Sequence, residues 1–396
     1  MIRNDDLIGL NHMKTKRVKV IDLSDIHLHH SRTPTAKIIE ELDTAIDRSV
    51  KTQDIDIIFI SGDIFDGLVT ATADSLHLIL DWIYRLLRRC KDMDIQLRIL
   101  EGTPSHDWKQ SRWFETINEK FNVHADLIYF PALAIEHNTK HNLNILYIPD
   151  EWRADTKETY QEVLALMKEK RLEKVDIAIM HGSFTYQLPA IAQGKVPMHN
   201  EEDYLRIVKY FIFIGHVHKH STYERIIAPG SFSRLAHGEE EPKGYVEATI
   251  FDDDTFTVSF IENKGATLYK TIEIDDSIMT QEQALSFIKA SLQSLPKGSH
   301  IRIKAKAGHV AIANKVVYLT HFPDYIFTLA SERIEKTKED DKEYDADNRE
   351  HVEIQQITID KDNILPLMSA RLEAKYTDIP LIARAQSLLA ELVDSR

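Results

Sequence analysis

Five short segments of this 396-residue chain carry side chains able to hold divalent cations, and each follows an apolar run. They are Asp25-Ile26-His27, Gly62-Asp63, Ser105-His106-Asp107, His181-Gly182 and Gly215-His216-Val217-His218. Mixed carboxylate and imidazole donors suit first-row divalent metals better than Ca2+ or thiolate-held Zn2+. In an extended segment, residues two apart point the same way. Asp25 with His27, and His216 with His218, can therefore aim at common points, with Gly215 permitting close backbone approach. A carboxylate such as Asp63 can bridge two cations. Two cations about 3.5–4 Å apart supply a hydroxide nucleophile and stabilise both oxygens of an in-line displacement at phosphorus. Asp25, His27, Asp63, His181, His216 and His218 are thus six candidate ligands for metal-dependent phosphate-ester hydrolysis. Taken singly, each segment has a plainer explanation: a loop cap, a turn, a core histidine. Their joint placement after strand-like runs is what points to a site, because α/β proteins gather catalytic groups there.

The elements that must position these residues read as an alternation. Residues 17–23, 56–61 and 95–100 form apolar strand patterns, separated by helix patterns over 34–50 and 73–89. A helix over about 109–121 follows, then a hairpin from 133–136 and 143–148, a helix over 156–170 and a strand at 175–180. A helix at 201–208 leads into a strand at 210–214, and residues 223–260 read mostly as strand. Such alternation predicts an α/β domain whose sheets are covered by helices. Beyond about residue 270 the pattern is a helix at 280–294 and strands at 301–306 and 316–319, a small α+β unit. Residues 332–350 are almost wholly charged or polar, the composition of a solvated linker. In the tail, Leu381, Ile382, Ala385, Leu388, Leu389 and Leu392 share one helical face.

Composition limits the function classes. The chain is 43% hydrophobic, enough for a sizeable core, and has no apolar run long enough to span a membrane. Its N-terminal residues are polar and lack the apolar stretch of a secretory signal. The single cysteine, Cys90, excludes an internal disulfide, fits a reducing compartment and lies in an apolar helix pattern that predicts a buried thiol. A formal net charge of −14 is the wrong sign for unaided nucleic-acid binding.

In this order, the segments resemble the calcineurin-like metallophosphoesterase superfamily, whose signature runs DxH, GD, GNHD or GNHE, H, GHxH. The resemblance covers about residues 17–235. It implies a sandwich of two mixed β-sheets flanked by helices, with a dinuclear site between loops. By position, Asp25, His27 and His218 would hold one metal, His181 and His216 the other, and Asp63 would bridge them. His106 matches the histidine that assists the leaving group, and Asp107 the acidic residue that orients its ring. The family's asparagine ligand is missing: this chain has Gly102-Thr103-Pro104-Ser105-His106-Asp107, and Ser105 stands in the asparagine's place.

Within the superfamily, Gly62-Asp63-Ile64-Phe65-Asp66, and Gly230-Ser231 followed by Glu240 and Lys243-Gly244-Tyr245, are similar to the SbcD-type nuclease subunit of DNA end-processing complexes. That resemblance implies a nuclease domain (1–265), an α+β capping domain (266–331), the charged linker (332–350) and a helical tail (351–396). It further implies a cytoplasmic, Mn2+-dependent nuclease (Mg2+ as the alternative) in a bacterial or phage-infected cell. Its partners would be DNA and an SbcC-type coiled-coil ATPase, with a homodimer inside a heterotetramer. Lys109, Arg112, Lys219 and Arg234 are the candidate DNA contacts. Two alternatives remain at this stage: action on a cyclic nucleotide or phosphoprotein, and a non-catalytic scaffold with a degraded site.

Overall fold

The computed structural model describes residues 15–331 apart from 190, 192–195 and 276–277; the linker and tail expectations fall outside the described residues. The elements, in chain order, are β1 (Lys16–Leu23), α1 (Thr35–Gln53), β2 (Ile57–Ser61), α2 (Leu76–Asp92), β3 (Gln96–Leu100), α3 (Pro104–Asp107), α4 (Trp113–Lys120), β4 (Leu127–Phe130), β5 (Ala134–Asn138) and β6 (Leu143–Ile148). There follow α5 (Thr156–Glu169), β7 (Val175–Gly182), α6 (Glu201–Ile207), β8 (Val208–His216), β9 (Ser221–Tyr223), β10 (Ile226–Ala228), β11 (Gly244–Phe251) and β12 (Phe256–Glu262). A last group comprises β13 (Tyr269–Ile274), α7 (Gln281–Leu292), β14 (His300–Ala305), α8 (Lys315–His321) and β15 (Ile326–Ser331).

Two six-stranded mixed sheets carry the architecture, ordered β12-β11-β1-β2-β3-β4 and β5-β6-β7-β8-β10-β9. Strand periodicity explains the layering. Ile57 and Phe59 of β2 join Ile145, Ile177, Ile179 and Phe213 of the other sheet in one core. The alternate residues Ile58 and Ile60 enter a second core with α1 and α2. Beyond the second sheet, Val163 of α5 and Tyr204 of α6 pack on Ala178 and Ile212. Continuous apolar runs such as Ile57–Ser61 are what strands covered on both faces require.

Helix α2 shows why its sequence must lie against this sheet. Ile79, Trp82, Ile83, Leu86, Leu87 and Cys90 recur at three- and four-residue steps and are all buried, each large side chain contributing about 1.5–3 kcal/mol of burial. Burial pushes the Cys90 thiol up to about 12. Native protein should therefore resist alkylation at mildly alkaline pH, whereas urea-unfolded chain should react fully. Mass spectrometry after brief labelling checks this, and rapid modification of native protein would contradict the placement.

Three sequence expectations need correction. Residues 316–319 are helical within α8, not a strand: a four-residue apolar run has no resolvable period, while Asn314 Oδ1 accepts the Val316 N–H at 2.9 Å and caps a helix start. The unit after residue 266 is consequently not α+β, because β13, β14 and β15 are all parallel, with α7 and α8 in the two crossovers. The expected helix over 109–121 is interrupted, since Trp108 and Lys109 adopt left-handed φ of 49° and 56° and a 3-10 turn (Gln110–Arg112) precedes α4. The hairpin is antiparallel as expected. Among the described residues no helix is long and apolar enough to cross a membrane.

Candidate metal centre

The parallel strands β1, β2 and β3 of one sheet, and β6, β7 and β8 of the other, end on the same cluster. Asp25 and His27 follow β1, Asp63 follows β2, and the segment from Gly102 to His106 follows β3. His181 and His216 lie at the ends of β7 and β8, paired in register as His181 with Gly215 and Gly182 with His216. Asp25, His27, Asp63 and His216 all adopt positive φ, between 49° and 99°. Four non-glycine residues in that region, gathered at one point, are local strain that surrounding structure must sustain.

Two three-residue donor sets emerge, Asp25 with His27 and His218, and Asp63 with His181 and His216; their candidate ligand atoms lie within 4.8 Å of one another in each set. His27 and Asp63 with His106 form a third such trio between them. The buried side is made of Asp25, His27, Asp63 and His181. His106, His216 and His218 keep side-chain exposures of 36%, 41% and 30%, so the cluster opens toward solvent on that side.

The ring orientations decide which nitrogens are free. His27 Nδ1 lies 3.1 Å from Asp66 Oδ1, and His218 Nδ1 lies 2.9 Å from Glu239 Oε1. Glu239 holds the His218 proton on Nδ1 and leaves its Nε2 as a lone pair, whereas His27 Nδ1 makes no hydrogen bond among the described residues and meets Asp66 only as an ion-pair contact. The Nε2 atoms of His27 and His218 face each other at 3.1 Å. Two ring nitrogens at that distance hold a proton or a cation between them, and nitrogens at adjacent corners around a metal bound at about 2.1 Å lie about 3 Å apart. His181 repeats the arrangement: Nδ1 donates to Ser61 O at 2.6 Å, freeing Nε2 toward Asp63 Oδ1 at 3.2 Å. The donor set therefore fits a pair of cations sharing Asp63. Burial opposes ionisation of Asp63, but His181, His106 and His27 outweigh it and hold the carboxyl well below its usual range.

The structure places several candidates differently from the sequence expectation. Ser105 is exposed, and only its backbone carbonyl is engaged, by Trp108 Nε1–H at 2.7 Å. The neutral oxygen that reaches the cluster belongs to Thr103. Its Oγ1 lies 3.1 Å from Asp150 Oδ2, 3.2 Å from Asp63 Oδ2, 3.3 Å from His216 Nδ1 and 3.4 Å from His181 Nε2. Thr103 follows Gly102 directly, two residues before Ser105. Asp107 does not reach the His106 ring: it is fully buried and accepts the backbone N–H groups of Gly102, Asp63 and Phe65 at 2.8, 3.1 and 3.1 Å. It binds the β2 and β3 loops together, and burial, with Asp63 and Glu101 nearby, pushes its carboxyl up to about 8. His106 instead meets Asp63, Nδ1 to Oδ2 at 2.8 Å, a contact that raises its ring above the usual value.

Glu240, singled out in the sequence, pairs with Lys270 and the Thr271 N–H; its neighbour Glu239 is the residue on His218. Gly230-Ser231 does serve the site. The Ser231 N–H donates to His218 O at 3.0 Å, and Ser24 Oγ donates to Gly230 O at 3.0 Å. Of the proposed DNA contacts, Lys109, Arg112 and Lys219 are not buried, but Arg234 is 7% exposed and donates to Ala266 O, which removes it from any surface role. Asp150 was passed over in the sequence although it stands two residues after β6, the same strand-end position that marked the others.

Gly62 marks how tightly the loops close. Its φ is +92°, and a Cβ there would meet the His181 ring and lie 2.7 Å from Gly102 Cα. Gly62→Ala should lose about 2 kcal/mol or more of stability, the sum of backbone strain and displaced ring. Urea unfolding measures it; an unchanged midpoint would refute the close packing.

No family model matches the chain. One solved structure aligns with 61% of this chain and 98% of its own, at 11% identity and a TM-score of 0.35, a likeness that carries no argument.

Proposed function

We propose that the chain is a two-metal phosphodiesterase acting on DNA, the nuclease subunit of an SbcCD-type end-processing complex, with Mn2+ as the resident cation and Mg2+ as the alternative. The observation that carries this reading is the shared carboxylate. Asp63 stands between two histidine-rich donor sets whose ring nitrogens are already turned toward a common centre. Bound there, a pair of divalent ions would activate water and neutralise the phosphate oxygens during in-line displacement.

The chain's own groups do the positioning. Glu239 holds the His218 ring, Asp66 stands 3.1 Å from His27 Nδ1, and Asp107 fixes the loops that carry Asp63 and Thr103. His106, on the open side with Nδ1 against Asp63, can hold a proton on its other nitrogen for the departing sugar oxygen. Two mixed sheets with the cluster at their strand ends suit the metallophosphoesterase sandwich implied by the DxH, GD and GHxH segments. The acidic balance suits a cytoplasmic subunit whose ATPase partner, docked through the tail at 351–396, supplies much of the grip on the DNA backbone.

The test is linear duplex DNA with Mn2+, using wild type, His218→Ala and His106→Ala. The expected outcome is metal-dependent shortening that falls about 100-fold or more in both variants. No cleavage by wild type, alone or with its ATPase, would sink the nuclease reading. Turnover of small diesters without DNA cleavage would redirect it to a cyclic-nucleotide substrate.

A further inference from the structure

A cavity of about 500 Å³ is lined by Gly102 and Asp150, and Asp150 Oδ2 lies 3.6 Å from His216 Nδ1 of the second donor set. Its remaining walls are mostly apolar and rigid: Pro104, Trp108, Pro131, Pro149 and Trp152. The two indoles are fixed through their polar ends. Trp108 Nε1–H donates to Ser105 O at 2.7 Å, and Trp152 Nε1–H donates to Glu162 Oε2 at 2.7 Å, with the Arg153 guanidinium 4.7 Å over its ring. Trp108 is 55% exposed and sits at φ +49°, followed by Lys109 at +56°. A bulky residue in the left-handed region, displaying an aromatic face to water, incurs both strain and lost burial. The left-handed turn ends α3, but the exposed indole adds nothing to the buried core.

We propose that this cavity is a nucleobase subsite, in which Trp108 and Trp152 form the stacking platform for the base attached to the phosphate being cleaved. The proposal rests on the phosphodiesterase reading and names which part of the substrate lies beside the metals. A phosphate on a cation held by Asp63, His181 and His216 would carry its sugar past Thr103 and Asp150 into the cavity mouth. Every base offers a flat π-face, so two locked indoles accept any sequence. The polar groups lining it include the carboxylates of Asp150 and Glu151 and the side chain of Lys109. The carboxylates accept the N–H donors of a base edge. An aromatic amino-acid ring brings no such donors, which favours a nucleotide over a phosphotyrosine peptide.

Two arms test this on the full chain. In the first, 2-aminopurine deoxyriboside is titrated without metal, its emission being quenched by stacking. Binding should weaken about tenfold in Trp108→Leu and recover in Trp108→Phe. Equal affinity in all three proteins, or competition by phosphotyrosine but not by thymidine, would overturn the subsite. In the second arm, Mn2+-dependent hydrolysis of thymidine 5′-(4-nitrophenyl) phosphate is compared with that of methyl 4-nitrophenyl phosphate. The kcat/KM preference for the thymidine ester should shrink about tenfold in Trp108→Leu, mainly through KM. An unchanged preference would overturn the subsite while leaving the phosphodiesterase reading intact. If neither ester turns over, the phosphodiesterase reading fails, and the probe titration alone decides the subsite.

Discussion

Asp63→Asn should abolish Mn2+-dependent phosphodiester hydrolysis and remove both divalent-ion sites in the same step. Among the described residues Asp63 is the one carboxylate that enters two donor trios, with His181 and His216 on one side and His27 and His106 on the other. It also accepts the Thr103 N–H at 2.6 Å, so the residue that joins the two sets also anchors the β3 loop. An amide keeps the shape but removes the charge that two cations would share, and it turns one acceptor into a donor facing His106 or His181. The loss should exceed the roughly 10–100-fold expected from removing a partner that merely orients a ligand. Calorimetric titration with Mn2+ reads the stoichiometry directly. Retention of two ions by Asp63→Asn would show that Asp63 does not join the sites, and the shared-carboxylate reading would fall with it. His216→Ala provides the contrast, since it belongs to one set alone and should leave the other ion bound.

Divalent ions should also stabilise the folded chain. Asp22, Asp25, Asp63 and Asp107 are all buried within this region, with His27 and His181 between them. Gathering carboxylates away from water is unfavourable unless cations or protons accompany them. Burial pushes Asp22 well above the ordinary carboxylate range even with Ser61 Oγ–H donating to it. An ion that binds only the folded state adds about 2.7 kcal/mol at roughly 100 times its Kd. For a chain of this size that raises the unfolding midpoint by about 3 °C. Thermal scans in Mn2+ and in chelator measure the shift, and Asp63→Asn should abolish most of it. A shift of equal size in that variant would place the stabilising ion elsewhere.

Much of the candidate site was legible before any coordinates. Asp25, His27, Asp63, His181, His216 and His218 each follow an apolar run, and chain chemistry at a strand end is a local property. The supporting residues were legible unevenly. Asp150 obeys the same strand-end rule, but a single carboxylate after a strand carries no motif that marks it. Glu239 and Glu240 are sequence neighbours with no local feature to separate them, and only the loop's path sends one to His218 and the other to Lys270. The α8 segment failed for a different reason: Val316, Val317, Tyr318 and Leu319 are too few to show a period, and the cap at Asn314 decided the matter.

The sequence by itself determined the donor types, their order along the chain and the alternation that makes two sheets, because these follow from side-chain chemistry and from hydrophobic period. Only the tertiary structure decided which neutral oxygen faces the donors. Ser105 and Thr103 are equivalent in type, but the left-handed backbone at Trp108 and Lys109 and the buried Asp107 fold the β3 loop so that Thr103 turns inward and Ser105 outward. The tertiary structure likewise decided the free nitrogen on the His218 and His181 rings, since Glu239 and the Ser61 carbonyl reach them from 21 and 120 residues away in sequence. Such partners are set by strand register and sheet packing, which no local pattern encodes.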